Sequence, residues 1–123
     1  MSAPDVLVVD DNPVNLELAS VVLRHAGLLV ATAEDASSAL REIGRARPRV
    51  VLMDIQMPGV DGLAVIEQLR ADARFNDLVI VAFTAYAMKG DRERLLAAGC
   101  NGYLSKPIEV ATFAAQVRSF LPV

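Results

Sequence analysis

Several apolar runs in this chain end on groups that could do chemistry. "VLVV" (6–9) runs into Asp10 and Asp11, and "RVVLM" (49–53) runs into Asp54. "LVIVAF" (78–83) ends on Thr84, and "GYLS" (102–105) delivers Ser105 and then Lys106. An apolar run demands burial, whereas adjacent carboxylates demand water or a cation. Carboxylates brought close together raise one another's pKa, and a hard divalent cation relieves that repulsion. Mg²⁺ suits such a set, because it favours carboxylate oxygens together with waters and phosphate oxygens. Lys106 adds a positive charge that could hold a phosphoryl group, and Thr84 can donate a hydrogen bond to one of its oxygens. An aspartate is itself a nucleophile in phosphoryl transfer, forming an acyl phosphate. Metal and lysine would stabilise the charge on the group in transit.

These residues can meet only if the elements carrying them align. "VLVV" (6–9), "LLVAT" (28–32), "RVVLM" (49–53), "LVIVAF" (78–83) and "GYLS" (102–105) read as strands. Amphipathic stretches separate them. In "NPVNLELASVVLRHAG", Asn12 can cap, Pro13 suits the first turn, Gly27 suits the end, and Val14, Leu18, Val21 and Val22 mark one face. "EDASSALREIG" predicts a short helix with Ala36, Ala39, Leu40 and Ile43 inward and Gly44 ending it. "DIQMPGVDG" (54–62) is a loop, punctuated by Pro58, Gly59 and Gly62. The helix after it presents Leu63, Ile66 and Leu69. "MKGDRERLLAAG" is a more polar helix, and Val110, Phe113, Val117 and Phe120 space the last one.

Nearly all-apolar strands, each followed by a helix, imply a parallel sheet covered on both faces. Right-handed crossovers make this a doubly wound α/β sandwich; a closed barrel would need about twice the chain. In open α/β sheets ligands bind beyond the carboxyl ends of the strands. That rule gathers Asp10, Asp11, Asp54, Thr84 and Lys106 at one edge.

Composition narrows the function classes. The chain has 123 residues, 54% hydrophobic and 22% charged, enough for one domain (1–123) with a real core. A net charge of −3 without a Lys/Arg cluster argues against nucleic-acid binding; the basic residues of "REIGRARPR" suit the end of a helix. No apolar run reaches membrane-spanning length, and the N-terminus has no signal-peptide pattern, so a cytoplasmic protein is expected. Cys100 is the sole cysteine, which excludes an internal disulfide or a cysteine-built metal site. It reads as a small buried filler. His25 suits a helix end, Met53, Met57 and Met88 suit packing, Asp61 suits a turn or cap, and Asp91 suits solvent.

"VLVVDDN", "VVLMDIQMPGVDG", "VAFTAYAMKGD" and "GCNGYLSKPI" together resemble, in order and spacing, the motifs of response-regulator receiver domains. The resemblance covers nearly the whole chain and implies a flavodoxin-like (βα)5 fold with strand order 2-1-3-4-5. By position it makes Asp54 the phosphoacceptor, served by a histidine kinase or histidine phosphotransfer protein. Asp11 and Asp54 would bind Mg²⁺ through side chains, Gln56 through its backbone carbonyl, and Asp10 through a coordinated water. Thr84 and Lys106 would contact the phosphoryl group, and Tyr103 matches the switch aromatic. The Lys106–Pro107 bond resembles one that is often cis and would help aim Lys106. Gln56 and Tyr86 occupy positions that tune the phosphoryl lifetime; neither is acidic, and slow self-dephosphorylation is expected. The resemblance also implies self-phosphorylation from a phosphodonor rather than metabolic catalysis. A protein target would dock on the 88–120 face, and the chain would be a monomer or weak dimer. With no output domain after Val123, it would act through protein partners, act in a phosphorelay, or be part of a larger chain.

Competing readings are weaker. Phosphatases of the haloacid dehalogenase type place an acid two residues after the nucleophile, where this chain has Gln56. A flavodoxin needs a Ser/Thr/Gly phosphate loop after the first strand, and "DDNP" would repel a phosphate. The remaining alternative is a receiver-fold interaction module that works without phosphorylation.

Overall fold

The computed structural model describes residues 3–57, 61–85 and 89–121. The chain alternates strictly: β1 (Val6–Val9), α1 (Pro13–His25), β2 (Val30–Ala33), α2 (Ala36–Ala46), β3 (Val50–Asp54), α3 (Gly62–Ala71), β4 (Val79–Thr84), α4 (Lys89–Ala98), β5 (Gly102–Ser105) and α5 (Val110–Arg118). All strand pairs are parallel, in the order β2-β1-β3-β4-β5. The first three helices begin on side-chain caps. Asn12 accepts from Val14 N, Asp35 from Ser38 N and Asp61 from Leu63 N, each satisfying a backbone donor that the first turn leaves open.

Continuous apolar strands make sense because the sheet is buried on both sides and side chains alternate between them. Val6, Val8, Val50, Leu52, Val81 and Phe83 pack with Leu16, Ala19 and Leu23 of α1 and Phe113 and Val117 of α5. Leu7, Val9, Val51, Met53, Ile80 and Ala82 pack with Ile43, Ile66, Leu69 and Leu95 on the opposite side. At the end of the sheet away from the acids, Arg70 reaches Gly99 O at 2.8 Å and Asn101 Oδ1 at 2.6 Å. The same Asn101 oxygen accepts from Ile80 N at 2.8 Å, pinning the entry to β5 against β4.

Several sequence-based expectations need correction. The face of α1 that turns inward is Leu16, Ala19, Ser20 and Leu23, whereas Val14, Leu18 and Val21 are 69%, 36% and 60% exposed. Both sets have helical spacing, and the one with small residues at its centre lets the helix axis lie close to the sheet. Gly44 lies inside α2, which ends instead at Arg47 with a left-handed φ of 40°. Val110 opens α5 in solvent, and a 3₁₀ turn at Ala73–Phe75 follows α3. β2, β3 and β4 each end one residue later than expected. Asp61 is a cap as expected, and Asp91 stays in reach of solvent, in an exposed pair with Arg94 at 3.1 Å. Met88 lies outside the described residues.

Candidate functional site

Parallel register builds the site. Val9 pairs with Met53, so Asp10 and Asp54, the next residues, stand side by side. Asp54 pairs with Phe83, and Thr84 with Ser105, which brings Lys106 to the same edge. Lys106 N donates to Thr84 O at 2.8 Å, and the Lys106–Pro107 bond is cis. Asp10 and Asp54 each follow by two a residue facing α1 and α5, and Lys106 reaches both from β5. Its Nζ lies 2.9 Å from Asp10 Oδ2 and 3.2 Å from Asp54 Oδ2. The ammonium also lies 5.1 Å from the centre of the Phe83 ring, whose π face favours a cation.

The two bridged acids are withdrawn from water: Asp10 is 0% and Asp54 2% exposed, while Asp11 is exposed. Buried carboxylates require donors. Asp10 Oδ1 accepts from Asn12 N at 2.9 Å, and Asp54 Oδ1 from Gln56 N at 2.9 Å. Burial raises the Asp54 pKa, with the Asp10 charge adding to the effect, against the lowering influence of the Gln56 N–H and Lys106. For Lys106 burial acts downward, but the two carboxylates together outweigh it and raise its pKa. The lysine therefore stays charged, and Asp54 is a more basic carboxylate than a surface aspartate.

Asp10, Asp11 and Asp54 can each place a carboxylate oxygen within 4.8 Å of the others'. That donor set is all hard oxygen and already accommodates the positive charge of Lys106, so it fits a hard divalent cation such as Mg²⁺. Gln56, at the mouth, lines a cavity of about 320 Å³ with Ile55, Asp61, Leu63, Thr84, Asp91 and Arg94.

Thr84 is fully buried at the end of β4. Tyr103 is half-buried and packs on the α2–α4 side of the sheet, with the Arg92 guanidinium 5.6 Å from its ring centre. The fold thus brings together Asp10, Asp11, Asp54 and Lys106, with Gln56 and Thr84 adjoining. Tyr103 lies on the neighbouring strand, and Tyr86 lies outside the described residues. Sequence reasoning missed Asn15, whose Nδ2 donates to Asp10 Oδ2 at 3.3 Å. Its only signal was a second amide in "DDNPVN", five residues after Asp10, where the first turn of α1 folds back on the strand end.

Residues 6–118 match the response regulator receiver domain. The chain belongs to the response-regulator receiver family. This receiver is 38% identical over 116 residues to the polar-differentiation response regulator DivK of Brucella anthropi, covering 94% of each chain. The Vibrio cholerae chemotaxis protein CheY4 superposes on 98% of the receiver and on all of its own chain with a TM-score of 0.89 at 28% identity. The receiver domain of a Pseudomonas aeruginosa sensor histidine kinase superposes with a TM-score of 0.83 at 35% identity, covering 97% of this chain and 98% of its own. It was solved with a magnesium ion coordinated in its active-site cleft. Family, fold and strand order are therefore those expected from the sequence, and the chain is a two-component signalling protein. Among the described residues no helix is long and apolar enough to cross a membrane.

Proposed function

We propose that this receiver is a phosphorylation-dependent switch whose phosphoacceptor is Asp54, charged by a histidine kinase or histidine phosphotransfer protein. The observation that carries the reading is one ammonium shared by two buried carboxylates beside a third. A structural salt bridge needs only one acid, and three converging acids are costly unless a cation and an anion are to be handled there. Asp11, Asp54 and the backbone carbonyl of Gln56 would hold Mg²⁺, with Asp10 behind them. When bound, the ion would neutralise the carboxylates and offset the charge of the incoming phosphoryl group.

An Asp54 carboxylate oxygen attacks phosphorus as the bond from phosphorus to the donor's imidazole nitrogen breaks, and the electron pair leaves with that nitrogen. Lys106 moves its charge from Asp10 toward the phosphoryl oxygens, and Thr84 donates its hydroxyl to one of them. Tyr103, on the strand beside Thr84, follows that shift. Moving a two-state equilibrium from 1:99 to 99:1 needs roughly 5.5 kcal/mol, within reach of charge-assisted contacts made in one state only. Gln56 and Tyr86 would set a long phosphoryl lifetime, self-phosphorylation and hydrolysis being the receiver's only catalysis.

The exposed Val14–Leu18–Val21 stripe lies on α1, which follows Asp10 and Asp11 directly, and would offer a donor protein a seat beside the site. The target would dock on the 88–120 face, where Leu96 and Val110 are 46% and 62% exposed. We take residues 1–123 as one domain, cytoplasmic, monomeric or weakly dimeric, and bound to neither nucleic acid nor membrane.

Incubation with acetyl phosphate tests the reading by intact mass. One added phosphoryl group is expected, requiring both Mg²⁺ and Asp54 and absent from Asp54→Asn. No gain, under conditions that label another receiver, would favour an interaction module that works without phosphorylation.

A further inference from the structure

The two acids bridged by Lys106 are not equivalent. Asp54 Oδ2 has Lys106 as its side-chain donor. Asp10 Oδ2 has two: Lys106 at 2.9 Å and the Asn15 carboxamide at 3.3 Å. Asn15 lies on the first turn of α1, a half-buried site whose backbone is tied by the Asn12 cap. Asp10 is fully buried, so bulk water cannot replace a donor that leaves it. A buried carboxylate oxygen stripped of its donor bears the full desolvation cost.

We infer that Asn15 is a positioning residue that holds Asp10 Oδ2 when Lys106 departs, and so lets the lysine transfer to the phosphoryl group on Asp54. The inference rests on the phosphoacceptor reading above and adds a residue to it. While Lys106 remains on Asp10, the Asn15 bond is one of two and largely redundant. Once Lys106 moves, it is the side-chain donor left on that oxygen. Its worth is therefore realised in the phosphorylated state rather than in the resting or metal-loaded one. Asn12 is placed differently: its N–H serves the other oxygen, Oδ1, and its side-chain oxygen is turned to the helix cap, accepting from Val14 N and Asn15 N.

The test uses beryllium fluoride as a phosphoryl mimic, with Mg²⁺, on the full chain. NMR titrations give the Mg²⁺ affinity alone and the beryllium fluoride affinity at saturating Mg²⁺. Asn15→Leu keeps the branched shape and removes the donor; Asn15→Ala guards against a packing artefact from the bulkier methyl groups; Asn15→Gln keeps a donor on a longer arm. Leu and Ala variants should bind beryllium fluoride about tenfold more weakly, the scale of one hydrogen bond to a buried charge. Their Mg²⁺ affinity should change less than about twofold, and Asn15→Gln should recover part of the loss. A merely structural role would weaken both ligands together or neither, and either result overturns the inference. If the unmodified chain fails to bind beryllium fluoride, the phosphoacceptor reading itself fails and takes this inference with it.

Discussion

At the residue scale the site trades stability for chemistry. Asp54 is buried beside a second buried acid, and its pKa is raised chiefly by that burial. The folded protein therefore holds a proton on Asp54 to higher pH than the unfolded chain does. Stability from this group is complete below the ordinary aspartate value near 4 and is lost as pH rises through the folded value. In chelator at pH 7, Asp54→Asn should then raise Tm by about 3–6 °C. The gain should vanish below about pH 3.5, where both states carry a neutral side chain, and shrink when Mg²⁺ is added. Thermal unfolding across pH measures this; a variant less stable at pH 7 would show that Lys106 more than repays the burial. Cys100 is a contrasting case. Burial pushes its thiol up to about 11, so it stays protonated and unreactive at neutral pH.

At the element scale two glycines separate propensity from packing. Gly44 is inside α2 with nothing within 4 Å of where a Cβ would stand. Gly44→Ala should stabilise by roughly 0.5–1 kcal/mol, read from urea unfolding, by restricting the unfolded chain and favouring helix. Gly62 opens α3 against the site loop: its Cβ would lie 2.5 Å from Ile55 Cα and 3.1 Å from Asp54 O. Both neighbours are backbone and cannot rotate away. Gly62→Ala should cost about 1–3 kcal/mol and also slow phosphorylation by acetyl phosphate, because relief of the clash displaces Asp54. Unchanged kinetics would mean that α3 yields instead. The glycine in "DIQMPGVDG" was legible as loop punctuation, but its close approach to Asp54 was not, since that depends on how α3 packs back on β3.

At the scale of the whole molecule, the sheet separates the proposed acceptor from the proposed readout. Asp10, Asp54 and Lys106 stand at the strand ends, with Lys106 against Phe83 of the α1 and α5 side, whereas Tyr103 packs on the opposite side, which includes Leu95 of α4. α4 is lightly anchored: Leu95 is 1% exposed but its neighbour Leu96 is 46% exposed. Elements with few buried apolar contacts open at low free energy. Beryllium fluoride with Mg²⁺ should therefore change amide hydrogen exchange severalfold in α4 and β5, and leave β1 and the middle of α1 unchanged. Exchange changes confined to the loop after β3 would argue against a switch that reaches the 88–120 face.

The sequence by itself determined the alternation of strands and helices, because a parallel sheet buried on both faces writes itself as short all-apolar runs. It also determined which residues stand at the strand ends, because a parallel sheet aligns those ends and the motif spacing names them. What it left open was direction. The apolar residues of α1 fit two faces, and only the approach of the helix to Val6, Val8 and Phe83 chose Leu16, Ala19 and Leu23 over Val14, Leu18 and Val21. Gly44 was compatible with ending α2, and only packing carried the helix on to Arg47. The second donor on Asp10 was equally invisible, since Asn15 reaches that oxygen only once α1 has docked on the sheet. Local composition sets periodicity and end groups; the choice among equivalent faces is made by the surface that each element meets.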